Sequence, residues 1–86
     1  MKISTKGRYA LRILADIAEH GVEKNVPIRE IAERQGFSDK YLEGIVSRLS
    51  SAGLVKSGRG KYGGYRLVKL PAEYNVYEIL YAAEDS

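Results

Sequence analysis

The cations of this chain are unevenly placed, and their placement is the first feature with chemical meaning. Residues 1–12 carry Lys2, Lys6, Arg8 and Arg12 without an acid, and residues 54–70 carry Lys56, Arg59, Lys61, Arg66 and Lys69 without an acid. Residues 71–86 reverse the pattern, with four acids and no base, so the net charge of +3 hides a strong asymmetry. Two acid-free basic segments converging on one face would bind a polyanion such as nucleic acid. Two solvated charged edges would have the same composition, and charge alone leaves both readings open.

Other chemistries are poorly served. To cradle a nucleotide phosphate, the stretch Gly58-Arg59-Gly60-Lys61-Tyr62-Gly63-Gly64 would need a helix after it, but it runs into the strand-like Tyr65-Arg66-Leu67-Val68. The carboxylates all fall on expected helix surfaces or beside the chain end, so no acid/base pair is set up and no enzyme is expected. There is no cysteine, which excludes disulfides and thiolate-held metals or clusters within these residues. The single histidine, His20, precedes Gly21 at the end of a helical pattern. It reads as a charge cap for that helix, because no carboxylate or thiol cluster surrounds it. The start Met1-Lys2-Ile3-Ser4 lacks the apolar block of a signal peptide, so a cytoplasmic protein is expected.

The elements that must carry these charges follow from periodicity. With 86 residues, 44% apolar and 29% charged, the composition is that of one small folded domain. Ser4 or Thr5 can cap a first helix with Ala10, Ile13, Leu14, Ile17 and Ala18 on its buried stripe, and Gly21 stops it. Asn25-Val26-Pro27 reads as a loop or a short edge strand. A second helix spans Ile28 to Gln35, with Ile31 and Ala32 inward and Glu30 four residues before Arg34 for a weak surface pair. Ser38 caps a third helix reaching about Ala52, with Leu42, Ile45, Val46 and Leu49 on its core face, before Gly53 breaks it. Leu54 to Ser57 and Tyr65 to Val68 make a hairpin, and Asn75 with Glu78 resembles a capping box for a last helix carrying Val76, Ile79, Leu80 and Ala83. The result is mainly α with a small β-hairpin, the order of a winged helix-turn-helix.

The spacing Ala32, Gly36, Leu42 sharpens this reading. A small alanine lets two helices approach, glycine turns the chain between them, and leucine locks the second onto the first. The third helix is then the one to enter a major groove. Opposite its core stripe lie Lys40, Gly44, Ser47 and Ser51, with Tyr41, Glu43 and Arg48 on the flanks. Gly44 either allows close backbone approach or is a tolerated defect. Glu43 either accepts a hydrogen bond from a cytosine amino group or pairs with Lys40. On the glycine-rich tip, Arg59 and Lys61 suit a narrow, electronegative minor groove.

The segments Lys2 to Leu11, Tyr41 to Glu43 and Arg59 to Tyr65 together resemble the Rrf-type family of bacterial repressors. That family includes iron-sulfur cluster regulators, cysteine-metabolism repressors and nitric-oxide-sensitive repressors. The resemblance implies a winged-helix DNA-binding domain over residues 1–86, in which about 75–86 begins a dimerisation region. It also implies a long pairing helix beyond the last residue, so that the chain is a fragment of a longer regulator or a natural truncation. Homodimers on palindromic duplex DNA follow. Carried over by position, Ser38, Lys40, Tyr41, Glu43 and Ser47 would lie in the major groove, Arg59 and Gly60 in the minor groove, and Lys6 on a phosphate. Relatives that bind an iron-sulfur cluster carry clustered cysteines beyond this domain; with none here, no cofactor is expected in this chain. Tyr77 and Tyr81 spread apolar surface wider than one packing face needs, which calls for a second chain. The alternative is a winged-helix protein-protein interaction module, which has no need of an acid-free basic hairpin.

Overall fold

Among the described residues, three of the four α-helices begin where a side-chain oxygen replaces the missing backbone partner. The computed structural model describes residues 3–21, 24–58 and 63–84. In α1, Thr5–His20, the Ser4 hydroxyl accepts the Gly7 N–H at 3.0 Å. In α3, Asp39–Ser51, Ser38 accepts from the Tyr41 N–H at 3.2 Å. At the start of α4, Val76–Glu84, the expected box is closed: Asn75 Oδ1 accepts from the Tyr77 N–H at 2.7 Å, and Glu78 accepts from the Asn75 N–H at 2.9 Å. Only α2, Ile28–Gln35, lacks such a cap and follows Pro27 directly.

Between α2 and α3 the chain turns at Gly36, whose φ of 76° lies in the left-handed region that glycine enters without strain. Its N–H and that of Phe37 both donate to the Ala32 carbonyl, at 2.8 and 3.2 Å. The helix-turn-helix therefore forms around the expected Ala32 and Gly36.

Strands β1, Val55–Gly58, and β2, Gly64–Leu67, pair antiparallel from Val55 opposite Leu67 to Gly58 opposite Gly64. Each begins one residue away from the sequence expectation. Leu54 is still occupied in leaving α3, its N–H donating to the Leu49 carbonyl at 2.9 Å, and Gly64 extends the ladder opposite Gly58. Val26 settles as a one-residue edge strand, exchanging two hydrogen bonds with Tyr65 at 2.8 and 2.9 Å. That contact depends on Gly64: its φ is 140°, and a Cβ there would sit 2.5 to 2.7 Å from the Val26 and Pro27 backbone.

The core gathers the expected stripes. Ala10, Ile13, Leu14 and Ile17 of α1 meet Ile31 and Ala32 of α2, Leu42, Ile45, Val46 and Leu49 of α3, Val55 of β1, and Ile79 and Ala83 of α4. Each large side chain among them contributes about 1.5–3 kcal/mol by leaving water. Of the apolar residues expected on the last helix, Val76 lies outside this core at 53% exposure, in the first turn of α4. Ala18 is half-buried. Among the described residues no helix is long and apolar enough to cross a membrane.

A tie absent from the sequence reading closes the base of the hairpin. After a 3-10 turn over Pro71–Glu73, the Tyr74 hydroxyl donates to the Leu54 carbonyl at 2.6 Å and accepts the Val68 N–H at 3.0 Å. Removing it with Tyr74→Phe is expected to cost about 1–2 kcal/mol, because it strands the buried Leu54 carbonyl. Urea titration measures the loss; an unchanged midpoint would mean that water takes over both bonds.

Candidate nucleic-acid interface

The outer face of α3 is polar and open. Ser38, Lys40, Glu43, Gly44 and Ser47 are all exposed, and Tyr41 is exposed at 37%. A Cβ on Gly44 would meet nothing within 4 Å, so packing inside the chain does not require glycine there. Glycine nonetheless costs a helix about 1 kcal/mol relative to alanine. Among the described residues Glu43 makes no ion pair with Lys40; both face solvent.

Arg48 departs from the expectation that it flanks this face. It is half-buried, and its Nη1 donates to the Ala83 carbonyl at 3.1 Å. There it offers positive charge and a donor to the last turn of α4, where helix carbonyls lack partners. The neighbouring helix captures it, an outcome that spacing within α3 alone could not reveal.

Lys6 is exposed in the first turn of α1, on the side of that helix that carries Tyr9 three residues later. Tyr9 links the two regions: its ring stacks on Phe37 with centroids 4.0 Å apart and meets Tyr41 edge-on at 5.5 Å. Arg12 stands over the Phe37 ring at 4.9 Å and donates to the side-chain and main-chain oxygens of Gln35 at 3.1 and 3.3 Å. Such ring pairs and cation contacts contribute about 0.5–1.5 kcal/mol each.

One turn further along α1, Asp16 is buried, correcting the expectation that every carboxylate lies on a surface. Arg34 grips it with two bonds of 2.8 and 3.0 Å, and Gln35 adds a third at 2.9 Å. Burial opposes its charge, but the bonds from Arg34 and Gln35 and the positive charges of Arg34 and His20 outweigh it and hold the carboxyl below its usual range. The expected Glu30 partner also reaches Arg34, more distantly, at 3.7 Å. His20 ends α1 as expected, its Nδ1 3.0 Å from the Asp16 carbonyl oxygen. Tyr9, Arg12 and Asp16 were missed as a set. The available signal was a row of polar and aromatic residues at three- and four-residue spacing beside the apolar stripe.

Arg59, Gly60 and Lys61 lie outside the described residues, so the wing is known here by its strands. Lys56 and Arg66 stand directly opposite each other in the ladder, both exposed. Like charges so placed repel, and an anion beside them would relieve the repulsion. Below the hairpin, the Asn75 N–H and the Lys69 ammonium hold the Glu78 carboxyl below its usual range.

Known proteins share this arrangement. Residues 3–86 match the Rrf2 family, described as an iron-dependent transcriptional regulator. Protein rrf2 of Nitratidesulfovibrio vulgaris is 45% identical over 85 residues, covering 99% of this chain and 57% of that protein. The HTH-type transcriptional regulator IscR of Aliivibrio salmonicida is 48% identical over 86 residues, covering 100% of this chain and 51% of that protein. Among solved structures, CymR, the global cysteine regulator of B. subtilis, has a TM-score of 0.92 at 43% identity, covering 100% of this chain and 67% of that one. IscR of T. potens has a TM-score of 0.87 at 45% identity, covering 95% of this chain and 60% of that one. The chain thus spans about half the length of the curated relatives it matches. Its winged helix-turn-helix fold is theirs, and the chain belongs to the Rrf2 family of transcriptional regulators.

Proposed function

We propose that this chain binds double-stranded DNA sequence-specifically as a cytoplasmic transcription regulator, acting as a repressor. The observation that carries the reading is the exposed face of α3, whose residues are short, cationic or hydrogen-bonding and whose centre is an unobstructed Gly44. In this reading Ser38, Lys40, Tyr41, Glu43, Gly44 and Ser47 meet the major groove, and Lys6 meets a phosphate. Arg59, Gly60 and Lys61 of the wing enter the minor groove. Arg48 is left out, since it serves α4. The repelling Lys56 and Arg66 pair also favours a polyanionic partner over the protein-protein module.

Assembly belongs to the same proposal. Tyr77 and Tyr81 are 68% and 69% exposed on α4, more apolar surface than the domain itself covers, and a homodimer or the rest of a longer chain would bury it. A two-fold pair reads a palindrome. Selection from a random duplex pool tests this: inverted repeats should emerge with half-site centres about 34–36 Å apart or a multiple of it. A pool that returns no common sequence overturns the reading.

An iron centre does not fit the residues present. The chain has no cysteine, and among the described residues no three His, Asp or Glu side chains converge as a donor set.

Gly44 separates folding from binding. Gly44→Ala should raise stability by about 1 kcal/mol, since the added methyl meets open space. It should also weaken DNA binding at least about fivefold, the loss of one good groove contact. Thermal melting and fluorescence anisotropy give the two readings. Unchanged affinity would mean that the α3 backbone does not approach the bases closely.

A further inference from the structure

Tyr41 is an odd residue for its place. It is exposed at 37% in the first turn of α3, where the core does not need it: Ala10, Ile13, Leu42, Ile45 and Val46 already join α1 to α3. Yet its ring is in contact with another aromatic ring. The Tyr9 ring meets it at 89° with centroids 5.5 Å apart, and Tyr9 is itself backed by Phe37 at 4.0 Å. Phe37 in turn lies under the Arg12 guanidinium, which is fastened to Gln35. A side chain that α3 presents to solvent thus contacts a ring of a different helix, which belongs to a stack that reaches Phe37 in the helix-turn-helix turn and Gln35 at the end of α2.

We infer that Tyr9 is a positioning residue for Tyr41, holding its ring in the orientation that meets DNA while making no DNA contact of its own. The inference rests on the DNA-binding reading above. The physical gain is pre-organisation: a surface side chain ordered before the partner arrives loses less rotational freedom on binding. Fixing one such side chain in advance is worth about three- to tenfold in affinity.

A double-mutant cycle in this chain tests it, with affinities for a selected duplex all measured at one temperature, about 20 °C below the lowest melting temperature among the variants, so that unfolding does not enter. Tyr9→Leu should weaken binding about three- to tenfold, and Tyr41→Leu at least as much. The pair together should bind no worse than Tyr41→Leu alone, because Tyr9 acts only through Tyr41. Tyr9→Phe keeps the ring edge and should restore binding. If Tyr9→Leu does not fold, Tyr9→Met replaces it in the cycle. Additive losses, or a Tyr9→Phe variant as weak as Tyr9→Leu, would show Tyr9 acting by itself and overturn the inference while leaving DNA binding intact. Full affinity in Tyr9→Leu or Tyr41→Leu overturns it as well. A wild-type protein that binds no duplex at all fails earlier and differently, by removing the functional reading on which the inference rests.

Discussion

Affinity for duplex DNA should fall about a hundredfold between 50 and 200 mM monovalent salt, with a log-log slope near −3.6 for each chain bound. That value follows from four cations per chain on phosphates or in the groove, Lys6, Lys40, Arg59 and Lys61, at about −0.9 per displaced counterion. A two-chain complex doubles the slope. The effect is large because the proposed interface relies on charge, so most of its attraction competes directly with salt. A winged-helix adaptor docking through apolar surface would respond weakly. Lys6→Ala should reduce the slope by about one and weaken all sequences alike, the mark of a phosphate contact. A wild-type slope shallower than about −1 would sink the electrostatic part of the proposed function.

Arg34→Met should destabilise the domain by about 2–3 kcal/mol, lowering the melting temperature by roughly 10–20 °C for a chain of this size. The loss arises mainly from what is left behind: Asp16, with a side chain 1% exposed, would keep only Gln35 and a distant His20. It falls short of the cost for a fully buried pair because the Arg34 side chain is 32% exposed and already partly solvated. The double variant Asp16→Leu/Arg34→Met should recover most of the loss, since no buried charge then remains.

Acid exposes the same linkage. Burial works against the Asp16 charge, but Arg34, Gln35 and His20 together depress its folded pKa below the unfolded value of about 3.9. Its contribution is therefore fully present above about pH 4 and is lost as pH falls through the folded value. In Arg34→Met burial prevails and the carboxyl takes up its proton at higher pH, so the gap to wild type should narrow on acidification. Denaturant titrations at neutral pH and near pH 3.5 measure both effects. A variant within about 0.5 kcal/mol of wild type at neutral pH would mean that the ion pair does not hold α2 to α1.

Much of this architecture was legible because it rests on local rules. Capping side chains at Ser4, Ser38 and Asn75, a glycine at position 36, and apolar stripes at helical spacing are set by a few adjacent residues. The polar outer face of α3 follows from the same period, since assigning Leu42, Ile45, Val46 and Leu49 to the core leaves Lys40, Gly44 and Ser47 outside. The family resemblance too is carried by contiguous motifs.

What the sequence could not decide lies wherever two distant segments meet. Asp16 looked like any surface carboxylate until Arg34 and Gln35 closed over it from 18 and 19 residues away. Arg48 has the spacing of a groove-flanking residue, and only the arrival of α4, 35 residues later, turns it to the Ala83 carbonyl. Tyr74 and Leu54, 20 residues apart, likewise share a hydrogen bond without any local pattern. Helical and strand periods record which face of an element leaves water, because that choice repeats every few residues. They do not record which element covers that face, and pairings between single polar groups depend on the final packing of the whole chain.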